Sequence, residues 1–300
     1  MILLKDILLK INYVEFEGNI DTQIHEVIQL NPNNTNRHAI FWCNNKNIFQ
    51  LNNCKYGTVI CSHSAKKEFK INEDCNYIFV ENPRLVFSKI IKDFFLQDEK
   101  APYISQSAVI HPSAKIGSNV SIGHFTVIEE NCIIEDNCKI GYNNTIHQKT
   151  HLHKNVKIGS NNTIGGIGFG YEKNGQGNYE ILPHIGNVVI YENVEIGNNT
   201  CIDKAVLGST KIHKNVKIDN LVHIAHGVEI GENSLIIANS MIGGSTKIGK
   251  NVWVAPSASL INKIEVNDNA LIGLGAVVVK SVEESHIVAG NPAKFIKKNS

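Results

Sequence analysis

The sequence predicts a mainly β protein: a left-handed parallel β-helix of hexapeptide repeats, preceded by a small α/β N-terminal domain. Three observations lead there. An aliphatic residue recurs every six positions from Ile110 to Ile164, and again from Ile212 to Val278. The residue two places before it is usually small or β-branched, as at Ala114, Val120, Thr126, Cys132 and Cys138. Residues 1–100 lack this period.

A period of six fits neither the 3.6 of a helix nor simple alternation along a strand. Two apolar residues two apart do share one face of a short strand. The Gly, Asn and Asp residues that follow suit corners. Three hexads then close a triangular coil of about 18 residues, and coils stack at about 4.8 Å, the spacing of hydrogen-bonded strands. The series breaks after Ile164, resumes at Ile190, Ile196 and Ile202, slips through "DKAVLGST", and locks in again at Ile212. The interruption, residues 165–186, reads "GGIGFGYEKNGQGNYEILPHIG". A long loop on a tight solenoid is commonly functional. Its G-x-G-F-G lacks the strand and helix that a dinucleotide fold needs.

In the N-terminal region, "TQIHEVIQL" and "NPRLVFSKIIKDFF" read as amphipathic helices, the second capped by Asn82 with Pro83 at its first position. "RHAIFWC", "YGTVICS" and "NYIFVEN" read as strands. The expected organisation is a domain over 1–100, the β-helix over 101–285 with loop 165–186, and a tail over 286–300, with "DEKAPYISQSA" as the joint.

A net charge of +1, from 29 basic and 28 acidic residues, leaves no electrostatic footprint for nucleic acid and no polybasic membrane patch. The apolar start "MILLKDILLKI" is interrupted by Lys5, Asp6 and Lys10, unlike a signal-peptide core or a membrane span. Seven cysteines without a Cys-x-x-Cys pair fit reduced thiols. These features predict a cytoplasmic protein.

The β-helix dictates where "DNLVHIAHGVEIG" points its histidines. Ile224 is an inward position, so His223 faces out and His226 sits at the next corner. Eighteen residues later comes Gly244, one coil along and roughly 5 Å away. An imidazole beside a bare backbone N–H offers a general base and an oxyanion donor, the minimum for acyl transfer. Asp219, seven residues before His226, is placed to orient the ring or favour its charged form. A histidine that merely caps a corner satisfies the same spacing.

The stretch from "NNTIGGIGFGYEK" through "TCIDKA" and "KIDN" to "IAHGVEIG" resembles the UDP-3-O-acylglucosamine N-acyltransferase family, the lipid A branch of the hexapeptide acyltransferases. The resemblance extends to "AIFWCNNK" and "FVENPRLVFSKIIKDFF", which are similar to that family's uridine-binding domain. It implies that His226 is the general base, that the Gly244 N–H holds the oxyanion, and that Asp219 belongs with them. It implies that Phe41 stacks on the nucleotide base beside Asn44. The family's second stacking aromatic falls at Asn47 here, leaving Phe49 as its replacement. Phe169, Tyr171, His184, His223 and Asn262 complete the expected substrate-binding set. The implied donor is acyl-coenzyme A or acyl carrier protein, with no permanently bound cofactor and no metal. The expected assembly is a homotrimer, which suits a three-sided prism.

Departures from the family colour the substrate. "SLINKIEV" stays in phase where the family carries an insertion with a histidine, and Lys263 stands near that place. The ending "VAGNPAKFIKKNS" is similar to coenzyme-A-dependent acetyltransferases, and Lys294, Lys297 and Lys298 suit phosphates or an acidic carrier. These departures favour acylation of another nucleotide-linked amino sugar for surface polysaccharide, with lipid A synthesis as the alternative. Two rivals are a zinc lyase of carbonic-anhydrase type, which needs three His ligands, and a carbohydrate-binding scaffold.

Overall fold

The computed structural model describes residues 2–96 and 101–299. The chain divides into two compact units, Met1–Lys100 and Ala101–Ser300. The expected joint, "DEKAPYISQSA", lies partly outside the described residues. Among the described residues, no helix is long and apolar enough to cross a membrane.

The first unit is built on a five-stranded sheet, in the order Glu15–Glu17, Cys75–Val80, Gly57–Ser62, Ala39–Trp42, Glu26–Val27. The last four run parallel and Glu15–Glu17 antiparallel. Gly57–Ser62 and Cys75–Val80 are buried throughout, as parallel strands covered on both faces must be. Alternation sends Phe41, Val59 and Tyr77 into one core, and Ile40, Ile60 and Ile78 into the other. The Asn82 side chain caps the helix Pro83–Ile90 by accepting from Leu85 N.

"TQIHEVIQL" is not a helix. Gln23–Ile24 pairs with Ile2–Leu3, and Glu26–Val27 pairs with Ala39–Ile40. Ile24 and Val27 pack in one core, Ile28 and Leu30 against the other. A helix would present these side chains on one stripe, whereas this edge of the sheet has to feed both layers. β-branched residues favour that outcome.

The second unit is a triangular β-helix of two-residue strands. Its first face runs from Val109–Ile110 to Val277–Val278 and contains His223–Ile224. Its second face runs from Lys115–Ile116 to Glu265–Val266. The third runs from Ser121–Ile122 through Leu271–Ile272 to the C-terminal strands. The six-residue series and its partner two places earlier form one continuous buried column, including Cys132, Ile134, Cys138 and Ile140.

Through the regular coils, corners with left-handed backbone recur three residues after the inward positions. Asn119, Asn131, Asn137, Asn143, Asn155 and Asn161 have φ between 54° and 61°. Asparagine tolerates this conformation better than other side chains, which explains its enrichment. Gly227 (φ 69°) takes the corner beside His226.

The two irregularities leave the column intact. The usual register of 18 residues becomes 38 across the inserted loop, so Ile164 pairs with Ile202. It becomes 22 across the slip, so Ile202 pairs with Ile224. The loop contains the hairpin Tyr171–Lys173/Tyr179–Ile181. Within the expected tail, His286–Ala289 joins the third face beside Leu271–Ile272, and Lys294–Lys298 folds back antiparallel on it. Lys294, Lys297 and Lys298 are exposed there.

Phe125 holds a corner at φ 59° with its ring 67% exposed, so it bears the left-handed strain without compensating burial. Phe125→Asn is expected to stabilise the protein by about 1 kcal/mol. Chemical denaturation with urea measures this; an unchanged or lower midpoint would contradict the strain argument.

Candidate active site

His226 lies at the end of the first face, just before the Gly227 corner, and is partly buried. Its carbonyl accepts from Ser245 N at 2.9 Å, and the Gly244 carbonyl accepts from Lys263 N at 2.9 Å. These two bonds fix a vertical column of His226, Gly244 and, one coil further, Asn262. A Cβ at Gly244 would stand 2.7 Å from His226 Nε2 and 2.9 Å from Cε1. Gly244 is therefore a glycine because the Nε2 end of the imidazole occupies the space a side chain would need. The spacing argument placed these two residues together, and the geometry has them in contact.

The inserted loop closes over the ring. His184 is buried and meets His226 edge-on, with ring centres 5.4 Å apart at 81°. His184 Nδ1 donates to the Leu182 carbonyl at 2.7 Å, since a carbonyl only accepts. Its Nε2 faces away from that carbonyl, and among the described residues it has no partner. The Gly-Phe-Gly sequence follows from this packing. Cβ atoms at Gly168 and Gly170 would stand 3.0 and 3.3 Å from the His184 ring, while Phe169 between them is 87% exposed. Phe169 and Tyr171 contact each other with ring centres 5.0 Å apart, and with Tyr179 they line a cavity of about 570 Å³.

Burial, then the nearby His184 and Lys263, lower the His226 pKa below its ordinary 6.5. The ring is therefore neutral, and able to accept a proton, at neutral pH.

Asp219 does not join His226. Its carboxylate accepts from Asn220 N and Nδ2 at 2.8 and 2.9 Å, and from Ala238 N at 3.3 Å. It ends the strand Lys217–Ile218 on the third face, whereas His226 follows His223–Ile224 on the first. Six residues span one side of the triangle, so residues seven apart occupy neighbouring corners. The expectation that Asp219 orients the ring does not hold within the chain.

The acid near this site is Asp203, from "TCIDKA", which sequence reasoning passed over as part of the slip. Its Oδ2 lies 3.7 Å from His223 Nε2, and its side chain is only 14% exposed. Burial raises its pKa, against the pull of His223 and His184. A carboxylate followed by a lysine at the end of a strand in the isoleucine column was the available signal. His223 faces outward, as expected.

In the N-terminal unit, Phe41 is fully buried in the sheet's core and has no free face for a base. Alternation turns it inward and leaves its neighbour Trp42 partly exposed, lining a cavity of about 520 Å³ with Arg84, Phe87 and Lys92. Asn44 caps the short helix Asn45–Asn53 by accepting from Asn47 N at 2.9 Å. Phe49 is 61% exposed.

The three-His site of a zinc lyase is not assembled at His226. Among the described residues, the His, Cys, Asp and Glu side chains close enough to share an ion are Glu135, His151 and His153, on other coils.

Comparison with known proteins agrees with this architecture. The family described as bacterial transferase hexapeptide (six repeats) matches residues 107–148 and 209–244. UDP-3-O-acylglucosamine N-acyltransferase of Campylobacter lari is 47% identical over 72% of this chain and 71% of its own length. The Protochlamydia amoebophila enzyme of the same name is 42% identical over 75% of this chain and 69% of its own.

The chain belongs to the UDP-3-O-acylglucosamine N-acyltransferase family.

Like its relatives it is an acyltransferase, built on a left-handed β-helix. Solved UDP-N-acetylglucosamine acyltransferases share the fold. The Francisella novicida enzyme superposes with a TM-score of 0.59 at 25% identity, over 66% of this chain and 71% of its own. The Campylobacter jejuni enzyme gives 0.57 at 20% identity, over 66% and 75%.

Acyl transfer is expected to require neutral His226, so kcat/KM should fall as pH drops through a pKa below 6.5. Lys263→Ala removes one cause of the depression and is expected to move this acid limb upward. A limb at or above 6.5 in the unmodified protein would contradict the assignment.

Proposed function

We propose that the protein transfers an acyl group from a thioester to the amino group of UDP-3-O-acylglucosamine, the reaction its relatives are named for and the one that serves lipid A synthesis. The observation that carries this is the imidazole of His226 lying against the bare backbone of Gly244. The relatives weigh for this substrate over the surface-polysaccharide sugar that the departures in sequence favoured.

In this reading the sugar amine attacks the thioester carbonyl with its own lone pair. His226 Nε2 takes the proton released as the C–N bond forms, and the Gly244 N–H donates to the oxyanion. The intermediate collapses, the C–S bond breaks, and the leaving thiolate takes the proton from His226. Acyl carrier protein or coenzyme A supplies the thioester. The unpartnered His184 Nε2 suits a substrate hydroxyl or amide donor, and the cavity beside Phe169 and Tyr171 suits an apolar chain. Neither a metal nor a covalent intermediate enters these steps.

We also propose a trimer that shares the first face. Most of its outward residues, among them Val127, Thr145, Thr163, Met241 and Val277, carry no charge, Asp203 beside His223 being an exception. The second face by contrast presents Lys211, Glu229, Lys247 and Glu265. The face of the prism with the fewest outward charges is the one that tolerates burial.

Purified protein is expected to acylate UDP-3-O-acylglucosamine from acyl carrier protein, and UDP- or dTDP-linked amino sugars of other kinds far more slowly. His226→Ala is expected to lower kcat by about 10²–10⁴-fold. Gly244→Ala, which displaces the ring, is expected to cost about 10²-fold or more. Full activity in His226→Ala, or faster transfer to another sugar, would overturn the respective part of the proposal. Analytical ultracentrifugation checks the assembly: Thr145→Glu is expected to shift a trimer toward monomer.

A further inference from the structure

Away from His226, the second face carries a column of stacked rings. Leu152 pairs with Ile190, and Ile190 with Ile212, so the residues that follow them, His153, Tyr191 and His213, stand one above another. Ring centres lie 4.9 Å apart from His153 to Tyr191 and from Tyr191 to His213, within 6° of parallel. His151 adds a fourth ring 4.0 Å from His153. One coil before, Ile134 pairs with Leu152, which puts Glu135 directly beneath His153.

That register brings three donors to one point. Glu135 Oε1 lies 2.7 Å from His151 Nε2 and 3.1 Å from His153 Nδ1. All three ligand atoms fall within 4.8 Å of one another. The side chains are 27, 27 and 21% exposed, held in place yet open on one side. Zinc bonds of about 2.0–2.1 Å place ligand atoms about 3.4 Å apart in a tetrahedron. The two imidazoles stack 4.0 Å apart at 23°, so the ion enters once one ring turns to aim its nitrogen at the shared point and the Glu135 contacts open by a fraction of an ångström.

We propose that Glu135, His151 and His153 form a zinc-binding site, with water as fourth ligand. Two imidazoles and one carboxylate favour zinc over magnesium or calcium, which prefer all-oxygen shells. The stacked Tyr191 restrains the His153 ring, as outer partners of metal ligands do. The ligands come from consecutive coils, so the ion staples one coil to the next. The site lies outside the proposed transfer machinery and does not depend on it. His213 and Glu229, 2.7 Å apart two coils further on, offer only two ligands and serve as an internal control.

The test is calorimetric titration of the chelator-treated full-length protein with zinc, alongside thermal unfolding with and without the ion. Saturable binding of one zinc per chain is expected at about 10 µM or tighter, with a rise in Tm. His153→Ala and the milder Glu135→Gln are expected to weaken binding by about tenfold or more and to abolish the Tm rise. His213→Ala, and Cys201→Ser at the exposed thiol, should bind as the parent does, and millimolar magnesium should not compete. Absence of saturable binding in the parent, or undiminished binding in both His153→Ala and Glu135→Gln, overturns the proposal.

Discussion

Every side chain that matters in the second unit is placed by the parallel hydrogen-bond ladder between coils. Two-residue strands are far too short to stand alone, so each holds its shape only by bonding to the strands before and after it. Bonds such as Ser245 N to His226 O and Lys263 N to Gly244 O tie residue i to residue i+19, which holds residue i+18 directly above residue i. A slip of one residue would turn the whole isoleucine column outward. The buried column thus selects the register, and the register sets outward residues above one another. His226 on Gly244, and Glu135 beneath His153, both follow from that rule.

The rule tolerates insertions only where they leave and re-enter the ladder at matched positions. The 38-residue and 22-residue registers do so, because Ile164, Ile202 and Ile224 remain stacked. The two irregularities leave the first face one and two coils before His226. The regular coils supply His226 and Gly244, which need accurate vertical placement. The insertion supplies His184, and the slip supplies Asp203 and the Thr210 hydroxyl that accepts from Gly227 N at 2.9 Å. The site thus forms where a periodic scaffold is interrupted, and the interruption contributes groups that a hexad has no position for.

This division also governs what can be read from the sequence. A strict period of six leaves one solution, so the column, the corners and the contact between residues 226 and 244 are legible before any coordinates. The expectation for Asp219 fails because closeness along the chain is not closeness across a triangle, where six residues already reach the next corner. Asp203 and His184 sit in aperiodic segments that carry no register to count from. In the N-terminal unit, Phe41 and Trp42 show the cost of a one-residue ambiguity in a strand, since adjacent side chains lie on opposite faces. "TQIHEVIQL" fits a helical period locally, and only its pairing with Ile2–Leu3 and Ala39–Ile40 decides otherwise. The family resemblance was legible because it rests on the irregular motifs, which the hexads alone would not distinguish from other solenoids.

The electrostatics around His226 fit the order of events in the proposed transfer. A carboxylate beside the ring would raise its pKa and make a stronger base, but would leave it more often protonated near neutrality. Here Asp203 faces His223, and the groups beside His226 are His184 and Lys263, which push its pKa down. A weak base suffices for amine acylation. The nitrogen attacks with its own lone pair, and its proton becomes strongly acidic only once the C–N bond has begun to form. A low pKa then keeps the ring free to receive that proton and ready to give it up to the departing thiolate, whose conjugate acid has a pKa of about 8.5. The burial that depresses the His226 pKa is imposed by His184 and the Gly-Phe-Gly turn, so the inserted loop tunes the base as well as covering it.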